Sequence, residues 1–266
     1  MNDPIHVGIL GATGRMGRLL LKACIAEPEL QLVVAATRES SAQLGDDSGL
    51  LVGGEANGVF ISASSAGLYD LCDVVIDFSL PDGLDVALDH FSGCALVTGT
   101  TGLSTATIKK LDEYASRAPV LSAANFSTGV NVLLALVAQA AKALPNAELE
   151  IVETHHHHKK DSPSGTALAL GEAAAEARGV PLDEVAQMGR AGSMDHRDPG
   201  TITFHSLRIG SVIGEHTVWM GEPEEVLQLS HSATSRNTFA VGALRAARWL
   251  VGKGPGRYTM SEMLGL

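Results

Sequence analysis

The chain has 266 residues, 45% hydrophobic and 4% aromatic, and a net charge of 19 − 30 = −11. That length holds one large or two medium domains with a sizeable core. The acidic balance, without a long basic stripe, argues against nucleic-acid binding, and no apolar run approaches the roughly 18 residues of a membrane span. Cys24, Cys72 and Cys94 are widely spaced and form no CxxC pair, so they are expected to be buried, reduced thiols. The start, Met1-Asn-Asp-Pro, lacks a basic signal-peptide region, and a cytoplasmic location is expected.

Residues 5–10 form an apolar run stopped by Gly11 and predict a buried strand. Residues 15–26 carry Met16, Leu19, Leu20 and Ala23 at helical spacing, and 31–36 predict a second strand, giving a βαβ unit. The glycine-rich stretch 46–58 reads as an irregular surface loop. Strands are then expected at 59–62, 73–78, 95–98 and 120–123, and helices at 82–91 and 104–117. This alternation implies a Rossmann-like, doubly wound parallel sheet. After Asn125 the pattern changes. An alanine-rich helix is expected at 131–144, an alternating strand at 148–154, and a helix at 166–178 closed by Gly179 and Pro181. Three β-like runs at 201–208, 215–220 and 225–232 predict an antiparallel meander, and 235–250 a final amphipathic helix. The fold class is therefore α/β with an inserted α+β domain: residues 1–126 plus 237–266 bind a dinucleotide, and 127–236 form the insertion.

Gly11, Gly14 and Gly17 follow a strand and open a helix. Glycine there permits a tight turn and close approach of backbone N–H groups to a pyrophosphate, which the helix N-terminus attracts. At the end of the second strand Thr37 has no charge and Arg38 suits a 2′-phosphate, with Arg15 able to assist. NADPH is therefore the preferred cofactor; Glu39, in reach of the acidic role, keeps NADH as the alternative. Gly99-Thr100-Thr101-Gly102 and Ala123-Ala124-Asn125-Phe126-Ser127 end parallel strands, where open α/β sheets bind ligands.

The segment Glu153-Thr-His155-His156-His157-His158-Lys159-Lys160-Asp161-Ser-Pro163-Ser164-Gly165-Thr166 sets proton donors beside a helix start, an arrangement suited to an anionic substrate that must be protonated. In an extended segment alternate side chains diverge, so His155 and His157 are expected on one face, His156 and His158 on the other. Lys160 reads as a solvated charge. No metal site is expected: adjacent histidines diverge, and no HExxH motif or cysteine ligand set accompanies them. Arg190 and Arg236 are open between substrate contact and salt bridges. His205, His216 and His231 read as structural, Trp219 and Trp249 as packing residues.

These residues resemble the 4-hydroxy-tetrahydrodipicolinate reductase family, formerly dihydrodipicolinate reductase. The motifs are G-A-T-G-R-M-G at 11–17, G-T-T-G at 99–102, A-A-N-F-S at 123–127, E-T-H-H-H-H-K-K-D-S-P-S-G-T-A at 153–167, P-G-T-I at 199–202, G-E-H-T at 214–217 and S-R-N-T-F-A at 235–240. The His/Lys block is far more specific than the glycine turn. The resemblance implies hydride transfer from NAD(P)H to a cyclic, unsaturated dicarboxylate, in a homotetramer joined through the central domain. It implies that His155 is the proton donor and acceptor and Lys159 a second donor. His156, Gly165 and Thr166 would hold substrate carboxylates. Gly11, Ala12, Thr13, Gly14, Arg15, Met16, Arg38, Gly99, Thr100, Thr101, Ala123, Ala124, Asn125 and Phe126 would hold the cofactor. Two positions depart from the family: Thr37 stands where an acid is frequent, and Leu80 where arginine is frequent. The competing readings, another amino-acid dehydrogenase or a redox-sensing NAD(P)-binding protein, leave the His/Lys block unexplained.

Overall fold

The computed structural model describes residues 3–192, 196–198 and 200–266; Met1, Asn2 and the Pro199 of P-G-T-I lie outside the described residues. In chain order the elements are β1 (Ile5–Leu10), α1 (Arg15–Ile25), β2 (Leu30–Thr37), α2 (Ser48–Leu51), β3 (Ile61–Ala63), β4 (Val74–Asp77), α3 (Pro81–Leu88), β5 (Ala95–Thr98), α4 (Thr105–Ala115) and β6 (Pro119–Ser122). There follow α5 (Thr128–Ala143), β7 (Glu148–His155), α6 (Gly165–Ala177), α7 (Leu182–Val185), β8 (Ala186–Met188), β9 (Ile202–Arg208), β10 (Glu215–Gly221) and β11 (Val226–Ser232). The chain ends with α8 (Asn237–Leu250), β12 (Gly256–Tyr258) and α9 (Met260–Leu264). Two compact units result: one runs through residue 127 and takes back 237–265, the other spans 128–236.

In the first unit seven parallel strands lie in the order β12-β6-β5-β4-β1-β2-β3. Their short apolar runs are buried on both faces, as helices on both sides of a parallel sheet require. Val7, Ile9, Val74, Ile76, Val97 and Leu121 enter one core with α1 and α8. Leu10, Val75, Leu96 and Val120 enter the other with α3 and α4. Small residues bring α8 close. Ala240, Ala243, Ala246 and Ala247 are wholly buried, and a Cβ on Gly242 would lie 1.8 Å from the Phe126 carbonyl oxygen. Strand order reverses between β1 and β4, so the carboxyl ends of these strands form the crevice where this sheet type binds ligands. The stretch 46–58 differs from the expected irregular loop. Buried Asp47 caps α2, accepting from Gly49 and Leu50 N–H, and also takes the Asn57 and Gly58 N–H groups. One carboxylate thereby organises the loop.

The second unit has a five-stranded sheet in the order β11-β10-β7-β9-β8. Leu149 and Ile151 of β7, Phe204, Val218 and Met220 point to one face and pack on α5 and α6. A Cβ on Gly171 of α6 would meet the Phe204 ring at 2.4 Å, which sets how closely that helix lies. The expected three-strand meander is corrected. Only β10 and β11 form an antiparallel hairpin; β9 pairs parallel with β7, and β7 separates it from β10. Crossing from β7 to β9 through α6 makes those strands parallel. The alternation in β9 records the face it buries and says nothing of its neighbour. Among the described residues no helix covers the opposite sheet face: Trp219 is 39% exposed and Val226 61%, so Trp219 is not a core packing residue. Trp249 does pack, edge-on to Tyr258 with Lys253 over its ring.

Candidate active site

The turn from β1 to α1 is built from backbone. Gly11 sits at φ +80°, and the Gly11 and Ala12 N–H groups both donate to the Ala36 carbonyl, each at 2.9 Å. A Cβ on Gly17 would lie 2.1 Å from the Gly11 oxygen, so helix and turn touch through glycine. Gly14 caps α1 without a side-chain hydrogen bond, which leaves the positive end of the helix facing the turn. Such a cradle fits a pyrophosphate and would be filled by any side chain at 11 or 17. Arg15 is exposed and Met16 half-buried at the opening of α1. Thr37, 5% exposed, bonds Thr13 hydroxyl to hydroxyl at 2.7 Å, while Arg38 just beyond it is exposed.

The neighbouring strand ends interlock. A Cβ on Gly99 would meet the Phe78 ring at 2.4 Å, and Phe78 packs on Phe126 with ring centres 5.4 Å apart. Beneath them the fully buried Asp77 accepts from Ser79 N (2.9 Å), Thr98 Oγ1 (2.7 Å) and Thr100 Oγ1 (2.7 Å). Burial pushes the Asp77 pKa up, against these hydrogen bonds. Thr101 and Ala124 are exposed, Ala123 and Asn125 half-buried, and the Asn125 amide oxygen accepts from Ser127 N–H at 2.8 Å. Asp77, which holds this end of the sheet together, was not foreseen; its only sequence signal is an acid closing an apolar strand.

In the second unit the period of two in β7 sets Glu153 and His155 on the same covered face, 1% and 9% exposed. His155 Nδ1 lies 2.5 Å from Glu153 Oε2. Arg208, at the end of β9, grips Glu153 with both terminal nitrogens (2.9 and 2.7 Å) and reaches the Asp161 carbonyl at 2.6 Å. Ser164 N–H donates to Glu153 Oε1 (3.2 Å), while Ser164 Oγ caps α6 from Ala167 N–H (3.2 Å) and meets His216 Nε2 at 3.0 Å. The His155 and His216 rings meet edge-on, centres 5.2 Å apart. Lys159 pairs with Asp161 at 2.8 Å. Gly165, in the first turn of α6, is exposed, and a Cβ there would meet nothing within 4 Å; Thr166 beside it is half-buried.

Charge follows contact. Burial works to raise the Glu153 pKa, but hydrogen bonds from Arg208, Ser206 and His155 outweigh it and hold it at about 2. Burial lowers His155, with Lys159 and Arg208 adding to it against the pull of Glu153. His216, the most deeply placed of these rings, falls to about 4, chiefly through burial. The bond from Lys159 lowers Asp161.

Among the expected substrate residues, His155 and Lys159 lie at this strand end with the open start of α6. His156 contacts Arg236 (Nε2 to Nη2, 2.9 Å). The expectation that His155 and His157 share a face fails, because β7 ends at His155 and the next histidines form a turn. His157 is exposed and bonds the Gly210 carbonyl through Nδ1 at 2.9 Å; Lys160 is exposed. Arg190 pairs with Glu150, as does His205. His216, read as merely structural, contacts both Ser164 and His155. Glu153 and Ser164 stood in the segment without a role assigned to them, and Arg208 was missed. An apolar-alternating strand with an acid on its buried face is the one local signal for Glu153; Arg208, 55 positions away, has none.

The chain matches the dihydrodipicolinate reductase family, its N-terminal part over residues 5–126 and its C-terminal part over 129–264. It is 46% identical over 270 residues to the 4-hydroxy-tetrahydrodipicolinate reductase of Acinetobacter baumannii, covering 100% of this chain and 98% of that protein. It is 44% identical to that of Halorhodospira halophila, covering 98% and 99%. Its fold is that of a dipicolinate-bound dihydrodipicolinate reductase from a Paenisporosarcina species: TM-score 0.73 at 22% identity, over 97% of this chain and 98% of that one. An aspartate semialdehyde dehydrogenase from Candida albicans, solved with NADP, shares the architecture more distantly, with a TM-score of 0.50 at 15% identity over 92% and 76%. This chain belongs to the dihydrodipicolinate reductase family.

Proposed function

We propose that the chain reduces 4-hydroxy-tetrahydrodipicolinate to tetrahydrodipicolinate with NAD(P)H, in the diaminopimelate route of lysine biosynthesis. The observation that carries this reading is His155 and Lys159 beside the open first turn of α6, in a chain identical at 46% of positions to a reductase of that name. When bound, the dihydronicotinamide supplies a hydride. Loss of the 4-hydroxyl as water gives a conjugated imine; hydride addition to it leaves an electron-rich enamine, which needs a proton on carbon, and His155 donates it. Lys159 neutralises negative charge developing at the ring nitrogen or a carboxylate and is the second proton donor. The N–H groups of Gly165 and Thr166, with His156, hold the substrate carboxylates.

Residues 1–126 with 237–266 bind the dinucleotide, and 127–236 bind substrate and form the contacts of a homotetramer. The glycine turn, the 99–101 and 123–126 segments and Arg38 receive the cofactor. NADPH is preferred, since Thr37 is uncharged and bonded to Thr13 while Arg38 is exposed for a 2′-phosphate. Among the described residues no helix is long and apolar enough to cross a membrane, and three free, buried cysteines fit a reducing cytoplasm. Burial raises Cys24 and Cys72 to about 12, which keeps them as thiols. The test is a coupled assay in which the preceding synthase makes the substrate from pyruvate and aspartate semialdehyde. Substrate-dependent oxidation of NADPH, faster than of NADH, is expected. No oxidation of either by folded protein overturns the reading. Light scattering should give four chains; a monomer contradicts the assembly.

A further inference from the structure

His155 is not held by its own strand alone. Glu153 is buried and accepts from His155 Nδ1 (2.5 Å) and Arg208 Nη1 (2.9 Å) on Oε2 and from Arg208 Nη2 (2.7 Å) and Ser164 N–H (3.2 Å) on Oε1, with the Ser206 side chain a further neighbour. An ionised carboxylate accepts all four; a neutral carboxyl or an amide does not. The bidentate hydrogen bond from Arg208 keeps it ionised. A carboxylate facing Nδ1 requires the proton on that nitrogen, so Nε2 is the nitrogen left to exchange protons with a ligand. His155 Nε2 has no hydrogen-bond partner among the described residues, and it borders Gly214, where a Cβ would lie 3.0 Å away. Ser164 is also the cap of α6, so the same carboxylate touches the residue just before Gly165 and Thr166.

We infer that Glu153 is the positioning residue of the site: it fixes His155 in the Nδ1–H tautomer and ties that ring to the first turn of α6, with Arg208 as its counter-ion. This rests on the role proposed for His155. The charged and titratable groups around His155 are Glu153 on β7, His156 and Lys159 just after it, Arg208 on β9 and His216 on β10. Asp161 reaches it through Lys159, and His231 of β11 lies behind His216. Only Glu153 favours the imidazolium by direct contact.

The experiment is nitrogen-15 NMR of histidine-labelled protein above the His155 pKa, with His155 signals identified by their loss in His155→Asn. The wild type should carry the proton on Nδ1, and Glu153→Gln should move it to Nε2. Kinetics of Glu153→Gln should show kcat about 100-fold lower, KM for NADPH within about twofold of wild type, and the basic limb of the kcat profile about one pH unit or more lower. A merely structural role would lower kcat and leave that limb in place. A wild-type Nε2–H tautomer, or a limb and tautomer unchanged by Glu153→Gln, overturns the inference. Should Glu153→Gln not fold, the wild-type spectrum alone decides. An active enzyme with the Nε2–H tautomer refutes Glu153 only; an inactive wild type with the Nδ1–H tautomer refutes the reductase reading only.

Discussion

The β1–α1 turn and the β7–α6 turn both lead a strand into a helix N-terminus, and they are built in opposite ways. The first is backbone. Gly14 caps α1 with no side chain, and Gly17 lies against the Gly11 carbonyl. The second is side chains. Ser164 caps α6 and is itself held by Glu153 and His216, while Arg208 holds the Asp161 carbonyl before it. Backbone N–H groups present the same donors whatever the sequence and suit a phosphate common to many reactions. A turn held by titratable groups can move protons, and it serves one chemistry.

The sharpest test of this contrast removes the proposed proton donor beside the second turn. His155→Gln should lower kcat by about 10²- to 10⁴-fold with NADPH affinity kept, read by steady-state kinetics and by fluorescence titration of the nucleotide. Unchanged turnover would remove His155 from the proton path. A methyl group should then separate the turns by stability. Gly17→Ala drives a Cβ toward backbone at 2.1 Å and should cost about 3 kcal/mol or more in urea denaturation, with loss of NADPH binding. Gly165→Ala adds a Cβ that meets nothing within 4 Å and should be neutral or stabilising by under about 1 kcal/mol. Equal losses at the two sites would break the comparison.

Acid should find the second turn first. His216 titrates near 4 in the folded chain and at 6.5 when unfolded. Above 6.5 it is neutral in both states. As pH falls from 6.5 to 4 the unfolded chain takes up a proton that the folded chain refuses, so stability is lost through that window, on the order of 3 kcal/mol. Glu153 contributes stability above its ordinary pKa of 4.5, which is lost between 4.5 and about 2. His216→Gln should flatten the loss between 6.5 and 4 in denaturation measured across pH; an unchanged slope would show that another group drives it. The smallest effect belongs to the edge of the first turn. Arg38→Ala should raise KM for NADPH about fivefold to tenfold, near 1 kcal/mol, and leave KM for NADH alone. Equal changes would mean that Arg38 does not read the 2′-phosphate.

Much of this was legible locally. Strands β1, β2, β4, β5 and β6 follow from short apolar runs ended by Gly, Thr, Ser or Asp, and α1 and α8 from helical spacing of small and apolar residues. The His/Lys segment stood out because four histidines and two lysines are adjacent next to a helix start. The reading failed where partners are distant. The alternation of β9 matched an antiparallel meander as well as its true place beside β7. His216 looked like any strand histidine until Ser164 was brought to it from 52 positions away. Asp47 looked like a loop acid, although four local N–H groups converge on it.

Most inward-facing positions, the turns, the glycine-rich opening of α1 and the His/Lys segment before α6 could be read from the chain alone. These are properties of neighbours along the chain, recorded in periods of two and 3.6 and in residues whose backbone freedom or chemistry is unusual. Only the tertiary structure decided that β7 runs between β9 and β10, that Asp77 gathers Thr98 and Thr100, and that Arg208 closes on Glu153. Those outcomes depend on which strand edge finds a partner and which buried charge finds a counter-ion, and such choices are made by packing across the fold and leave no periodic mark in the chain.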